Sequence, residues 1–335
     1  MTKAFTRTLG RSGIEVSALG LGCWAIGGPW TFNGSPGGWS GVDDAESLRA
    51  IDCAISLGAT FFDTAANYGA GHSERLLGKA FKGRRSQVVI ATKFGYYVDE
   101  AAGTVIYYDD REEESNVASR LSADLEASLK RLDTDYIDVY QLHVWGLSIA
   151  RALQVREVLE DLVKAGKIRT YGWSTDRTEA IKAFATSPYC GVVQQQLSVL
   201  DGNMELLALC EELNLASINR GPLGLGLLTG KFAPNSSFPE DDVRTHASWH
   251  PGFTNGRPTQ KWLDALESVR EVLTSNGRTL AQGALAWIWA RSENTIPIPG
   301  FKTVKQVEEN CKAMEFGRLT ADQMGQIDQI LGRAG

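Results

Sequence analysis

Residues 20–41 read GLGCWAIGGPWTFNGSPGGWSG, and the fold turns on whether a helix opens directly after the first six of them. Gly20-Leu21-Gly22-Cys23-Trp24-Ala25 matches the loose GxGxxG/A pattern of a dinucleotide-binding crossover, with Asp43 and Asp44 about twenty residues on. In such a crossover the glycines must lead straight into a helix, whose N-terminus then meets a pyrophosphate. Here they lead into a stretch of Gly, Pro, Asn and Ser, which is a loop. The Rossmann reading is therefore rejected, and the glycines are assigned to the end of an ordinary buried strand.

Working outward, residues 5–17 (FTRTLGRSGIEVS) read as a β-hairpin turning over 10–13. Beyond it, apolar strand-like runs alternate with amphipathic helical stretches to the end of the chain. Strands are predicted at 18–22, 60–63, 88–93, 136–143, 169–174, 192–196, 216–219 and 295–299. Their near-continuous apolar character fits strands covered on both faces, as in a closed parallel barrel or an open doubly wound sheet. Among the helices, Val117, Leu121, Leu125, Leu129 and Leu132 fall on one face, and a helix over 153–164 is stopped by Gly166. Two helical stretches, 259–275 and 280–290, precede the last strand.

A chain of 335 residues is long enough for one large α/β barrel, and a single domain over 1–335 is expected. With 34 basic against 40 acidic residues and a formal charge of -6, a nucleic-acid or anionic-membrane surface is disfavoured and a small-molecule partner expected. The five cysteines are odd in number and never in CxxC spacing, which argues against a disulfide framework and a zinc site, so no metal is expected. The N-terminus carries no apolar signal core, and no run approaches the roughly eighteen apolar residues of a membrane span. The expected location is the cytoplasm.

In a barrel, polar groups just past the strand ends converge on one mouth. Three successive strands end in Asp63 (FFD), Lys93 (VVIATK) and His143 (YIDVYQLH), and the loop after the first presents Tyr68. Each residue alone has an ordinary structural explanation; together they suit carbonyl reduction. A phenol with a solution pKa near ~10 is a poor acid at neutral pH, and a nearby ammonium favours its phenolate. Lys93 fills that role, Asp63 supplies the counter-charge a buried lysine needs, and His143 donates a hydrogen bond that orients the carbonyl oxygen.

The stretches FFDTAANYG, VVIATKFG, YIDVYQLH, YGWSTD, GPLGLGLLTGKF and IPGFKTVKQVEEN resemble, in order and separation, the successive signatures of the aldo-keto reductases. The resemblance spans essentially the whole chain and implies a (β/α)8 TIM barrel with the N-terminal β-hairpin added. It also implies NADPH-dependent reduction of an aldehyde or ketone, with Tyr68 as general acid and Asp63, Lys93 and His143 as partners. It places the nicotinamide carboxamide at Ser174 and Gln194, with Thr175 where the family commonly has asparagine. Arg220 stands where an aromatic ring often stacks on nicotinamide. Gly221, Leu223, Gly226 and Lys231 are expected around the pyrophosphate, with Gly300 allowing close backbone approach.

Lys302, Thr303 and Gln306 are expected at the adenosine 2′-phosphate, and Glu309 and Asn310 at adenine. Thr303 and Gln306 also have the spacing of a capping box. Glutamine at 306, where many relatives carry arginine, softens the preference for NADPH over NADH. Trp24, Trp30, Tyr96, Trp145 and Trp249 are expected to rim the mouth and to favour an apolar or aromatic carbonyl substrate. Two other readings stand beside this one: a nucleotide-loaded regulatory subunit resembling the potassium-channel β-subunits, and a Schiff-base aldolase using Lys93 as nucleophile.

Overall fold

The computed structural model describes residues 5–106 and 113–333. Residues 1–4 of the N-terminal stretch and both ends of the expected 1–335 span lie outside the described residues. Eight parallel strands form one sheet, each paired with the next: β1 (Gly20–Gly22), β2 (Phe61–Asp63), β3 (Val89–Phe94), β4 (Ile137–Leu142), β5 (Ile168–Ser174), β6 (Cys190–Gln196), β7 (Ala216–Arg220) and β8 (Thr295–Pro297). β1 to β4 and β8 are buried at every position, as a sheet covered on both faces requires.

The sheet closes where β8 returns to β1. Gly22 N–H donates to the Pro299 carbonyl at 3.0 Å, and Gly22 bridges in parallel to Gly300. A Cβ on Gly22 would stand 2.7 Å from the Ile298 carbonyl oxygen, so the glycines of the opening motif serve backbone approach at the seam of a barrel.

Helices cover the outside: α1 (Asp44–Ser56), α2 (His72–Phe81), α3 (Glu113–Leu132), α4 (Ile149–Lys164), α5 (Thr178–Phe184), α6 (Met204–Glu212), α7 (Gln260–Thr274), α8 (Leu280–Arg291), α9 (Val304–Phe316) and α10 (Ala321–Ile330). The leucine stripe of α3 is buried from Val117 to Leu132. α4 begins one turn earlier than its leucine pattern predicts, because Ser148 caps it by accepting from Arg151 N–H. The two stretches before β8 are α7 and α8; Thr279 and Gln282 form a complete capping box at the second. At α9 the box is only half made: Thr303 accepts from Gln306 N–H, whereas the Gln306 side chain accepts from Lys302 N–H at 2.7 Å.

The N-terminal hairpin, Thr6–Thr8 against Glu15–Ser17, turns through Gly13 at a φ of 71°. Leu9, Ile14 and Val16 pack against Phe61, Val89, Val139, Val192, Ala216 and Ile296, which closes the floor of the barrel beneath the N-terminal ends of its strands. The opposite, C-terminal face is left open.

Two features of that face carry no periodic signal in the sequence. The loop after β1 contains a small hairpin, Thr31–Phe32 with Ser35–Pro36, which pairs with Tyr97–Asp99 and Thr104–Ile106 from the loop after β3. After β7 the chain runs through two 3₁₀ turns, Gly224–Thr229 and Val243–His246, and a hairpin of Phe253–Thr254 with Arg257–Pro258. Among the described residues no helix is long and apolar enough to cross a membrane, and no group of three His, Cys, Asp or Glu side chains is arranged to hold a metal ion.

Candidate active site

Asp63 at the end of β2 and Lys93 near the end of β3 face each other inside the barrel mouth, both fully buried. An ammonium carries three N–H donors, and here each has an acceptor: Asp63 Oδ1 at 2.6 Å, the Thr64 carbonyl at 2.7 Å and Tyr68 Oη at 3.2 Å. The far carboxylate oxygen, Asp63 Oδ2, accepts from Gln194 Nε2 at 2.8 Å and from Gln141 Nε2 at 3.1 Å. An isolated charge at this depth would be driven neutral; a pair with every donor matched survives burial. Burial opposes the Lys93 charge, but Asp63 and Tyr68 outweigh it and hold the ammonium pKa above its ordinary range.

Tyr68 is brought over the pair by the tight loop between β2 and α2. A Cβ on Gly69, at a φ of 64°, would lie 2.1 Å from the Gly27 carbonyl, so only glycine fits that turn. The phenol ring has Lys93 Nζ 4.7 Å from its centre and stacks on Trp24 at 6.0 Å between centroids. Burial pushes the Tyr68 phenol up, and Lys93 pulls it back only in part. The sequence expectation that Lys93 brings the phenol toward the operating range is thus outweighed, because desolvation within the barrel mouth is the larger effect on the hydroxyl. Tyr68 therefore keeps its proton through neutral pH.

His143 stands at the end of β4 with its ring edge toward Tyr68, 5.9 Å between centroids. Its Nδ1 faces the Asn67 carboxamide oxygen at 3.2 Å. Burial, with Lys93 and Arg220 nearby, lowers the imidazole well below its ordinary range, so it is neutral.

A cavity of about 390 Å³ opens from this cluster, within the size range of small-molecule sites. Asp63, Tyr68 and His143 line it, and Lys93 lies directly behind Tyr68. Of the residues expected around a cofactor, Gln194, Arg220, Gly221, Leu223, Gly226 and Lys231 line one stretch of its wall. Gly300, Lys302, Gln306, Glu309 and Asn310 line another. Two of the set are not on the wall. Ser174 is buried behind Gln194, its Oγ 3.5 Å from Gln194 Oε1, and Thr303 is spent on capping α9.

Of the aromatic rim, Trp24, Trp30 and Trp249 reach the cavity. Tyr96 does not: it packs edge-on to His143 at 5.4 Å and donates to the His143 carbonyl. Trp145 is 54% exposed and turned outward. Asn67, Trp39, Gln196, Arg244 and His250 also line the cavity, and sequence reasoning missed all five. Asn67 adjoins Tyr68 in FFDTAANYG, a signal that could have found it; Arg244 and His250 sit in the irregular loop after β7, where no spacing marks them.

Arg220 is fixed in orientation by an ion pair with Asp176 and by Gln196 Oε1 at 3.2 Å. At the other end of the cavity, the loops after β1 and β7 meet as a strap. Val243 N–H donates to the Gly38 carbonyl at 2.8 Å, and Lys302 Nζ donates to the Ser40 carbonyl at 2.6 Å. Arg244 lies over Trp39 and chelates Asp242 through Nε and Nη2 at 2.7 and 2.8 Å. Burial lowers the Lys231 and Lys302 ammonium groups, and the adjacent Arg244 adds to it. Lys231, Arg244 and Lys302 thus crowd one corner, which suits a polyanionic ligand.

His250 accepts from Gly252 N–H through Nδ1 at 3.0 Å, and burial lowers its pKa from 6.5 to about 4. The unfolded chain takes up this proton near 6.5 and the folded chain only near 4, so the stabilisation is complete above 6.5 and is lost as pH falls through that window. Its size is about 3 kcal/mol. Urea midpoints measured across the window are expected to fall less steeply for His250→Gln than for the wild type.

Residues 18–332 match the Aldo/keto reductase family. The chain is 33% identical over 325 residues to aldo-keto reductase YhdN of Bacillus subtilis, covering 96% of this chain and 91% of that one. It is 31% identical to the Schizosaccharomyces pombe aldo-keto reductase yakc [NADP(+)], covering 92% and 86%. Among solved structures, the glycerol dehydrogenase AKR11B4 of Gluconobacter oxydans superimposes with a TM-score of 0.80 at 29% identity, covering 99% of this chain and 96% of that one. The holo form of AKR11C1 from Bacillus halodurans gives 0.75 at 29% identity, covering 98% and 97%. A closed eight-stranded barrel with a mouth of this composition, matched from end to end, makes the chain a member of the aldo/keto reductase family.

Proposed function

We propose that this chain reduces an aldehyde or ketone to an alcohol with NADPH as the hydride source, and that Tyr68 is the general acid. The observation that carries the proposal is the buried ammonium of Lys93, whose three donors go to Asp63, to a backbone carbonyl and to the phenol of Tyr68 at the cavity wall. The family match supports it, and the fission yeast relative is named for NADP(+).

Fit to the cofactor rests on this chain's own groups. Lys231, Arg244 and Lys302 offer cations, of which Arg244 is paired with Asp242, and Gly300 leaves open backbone beside them. When bound, NADPH supplies a hydride to the carbonyl carbon. Tyr68 gives its phenolic proton to the carbonyl oxygen, which becomes the hydroxyl. Lys93 stabilises the phenolate left behind, and Asp63 keeps Lys93 charged while it does so. Neutral His143 orients the carbonyl oxygen through Nε2–H, which requires the Asn67 carboxamide to be flipped from the placement with Oδ1 toward Nδ1, so that Asn67 Nδ2–H donates to Nδ1. Trp24, Trp30 and Trp249 favour an apolar or aromatic substituent on the carbonyl.

Steady-state NADPH oxidation with a panel of aldehydes and ketones tests the proposal. Sustained turnover supports it, and a nucleotide-loaded protein with negligible turnover on every carbonyl favours the regulatory-subunit reading instead. Lys302→Ala is expected to raise the Kd for NADPH about tenfold, equivalent to about 1.4 kcal/mol, and to leave NADH within about twofold. Fluorescence titration with both nucleotides measures the difference, and equal weakening of the two would remove Lys302 from the 2′-phosphate.

A further inference from the structure

We propose that Gln141 is a positioning residue that holds Asp63 to a single contact with Lys93 and thereby leaves one ammonium proton for Tyr68. The inference rests on the carbonyl-reductase reading above and assigns a residue that the reading does not use. Barrel interiors are filled by branched aliphatic side chains, and a carboxamide there needs a reason. Gln141 is fully buried on β4, in direct register with Lys93 on β3, and does not reach the cavity wall. It touches neither substrate nor cofactor space.

Its orientation is unambiguous, because an ionised carboxylate only accepts. Nε2 of Gln141 therefore points at Asp63 Oδ2, 3.1 Å away, while Gln141 Oε1 lies 3.4 Å from Gln194 Nε2, which also donates to Oδ2. Two amides thus pin one carboxylate oxygen, and Lys93 takes the other at 2.6 Å. A carboxylate released at Oδ2 is free to turn about its Cβ–Cγ bond, to swing that oxygen toward the ammonium and to draw Nζ off its weakest acceptor. The weakest is the longest of the three Lys93 contacts, the 3.2 Å contact to Tyr68. Pinning Oδ2 keeps the ion pair monodentate and the third proton on the phenol.

Gln141→Met removes the donor at similar volume. Its crystal structure is expected to show Asp63 turned so that Oδ2 approaches Lys93, with Tyr68 beyond hydrogen-bond reach. Its kcat is expected to fall about 10-fold to 100-fold, the range found for residues that orient a reactive group, with KM and cofactor Kd within about twofold. In an Asp63→Asn background the same substitution is expected to cost nothing further, because its target is gone.

Gln141→Glu has the native shape. It is expected to approach wild-type activity at acid pH, where the new carboxyl keeps a proton and donates to Oδ2, and to lose activity as pH rises. An unmoved Lys93–Tyr68 contact in Gln141→Met, or a loss of equal size in both backgrounds, overturns the inference. If the contact moves but no carbonyl is turned over by the wild type, the positioning stands and the functional reading falls. If turnover is present and the contact is unmoved, the reverse holds.

Discussion

Tyr68→Phe is expected to lower kcat for carbonyl reduction by about 10²-fold to 10⁴-fold, the usual contribution of a positioned general acid, and to leave the Kd for NADPH within about twofold. The substitution removes one oxygen and its proton. The ring stays stacked on Trp24 and Lys93 remains beneath its face, so the cavity keeps its shape. The loss therefore falls on the proton-transfer step and spares ground-state binding. Stopped-flow reduction with saturating NADPH separates the two, and a variant that keeps wild-type kcat would remove Tyr68 from the chemistry. Because burial holds the phenol's proton on through neutral pH, kcat for reduction should stay flat across neutral pH rather than decline as a titrating acid would.

The largest effect on stability is expected at Lys93. Lys93→Met leaves the Asp63 carboxylate fully buried with two amide donors and no counter-charge, which costs about 3–5 kcal/mol. Activity falls with it by several orders of magnitude, because the phenolate of Tyr68 loses its stabilising cation. The second site decides the cause. Adding Asp63→Asn to Lys93→Met neutralises the stranded charge and is expected to recover most of the lost stability in urea denaturation, while activity stays lost. A double variant as unstable as Lys93→Met would mean that the stranded carboxylate is not the cause of the loss. Rate losses of Tyr68→Phe and Lys93→Met are expected not to add, since both remove the same step.

The eight strands were legible because they are short, apolar on both faces and punctuated, a pattern that fitted a closed barrel or an open sheet alike, and the family resemblance pointed to the barrel. Each of the eight predicted strands overlaps the observed one, with ends shifted by a residue or two where pairing starts or stops. Asp63, Lys93 and His143 were legible as candidates because they end buried strands in a polar group. The strap was not. Trp39, Ser40, Asp242 and Arg244 come from loops about two hundred residues apart and meet through the Ser40 Oγ–Asp242 bond and the Arg244 guanidinium over Trp39, which no local pattern announces. Ser174 and Trp145 show the converse limit. A strand end marks which residues stand near the mouth, and side-chain packing then decides which of them turn toward the cavity.

The floor of the barrel has a consequence for the order in which the chain folds. Leu9, Ile14 and Val16 of the N-terminal hairpin share one buried cluster with Ile296 and Ile298 at the last strand, far along the sequence. Joining segments so distant in sequence carries a high loop-closure cost, so the floor is expected to be set late in folding, after the strands between them have paired.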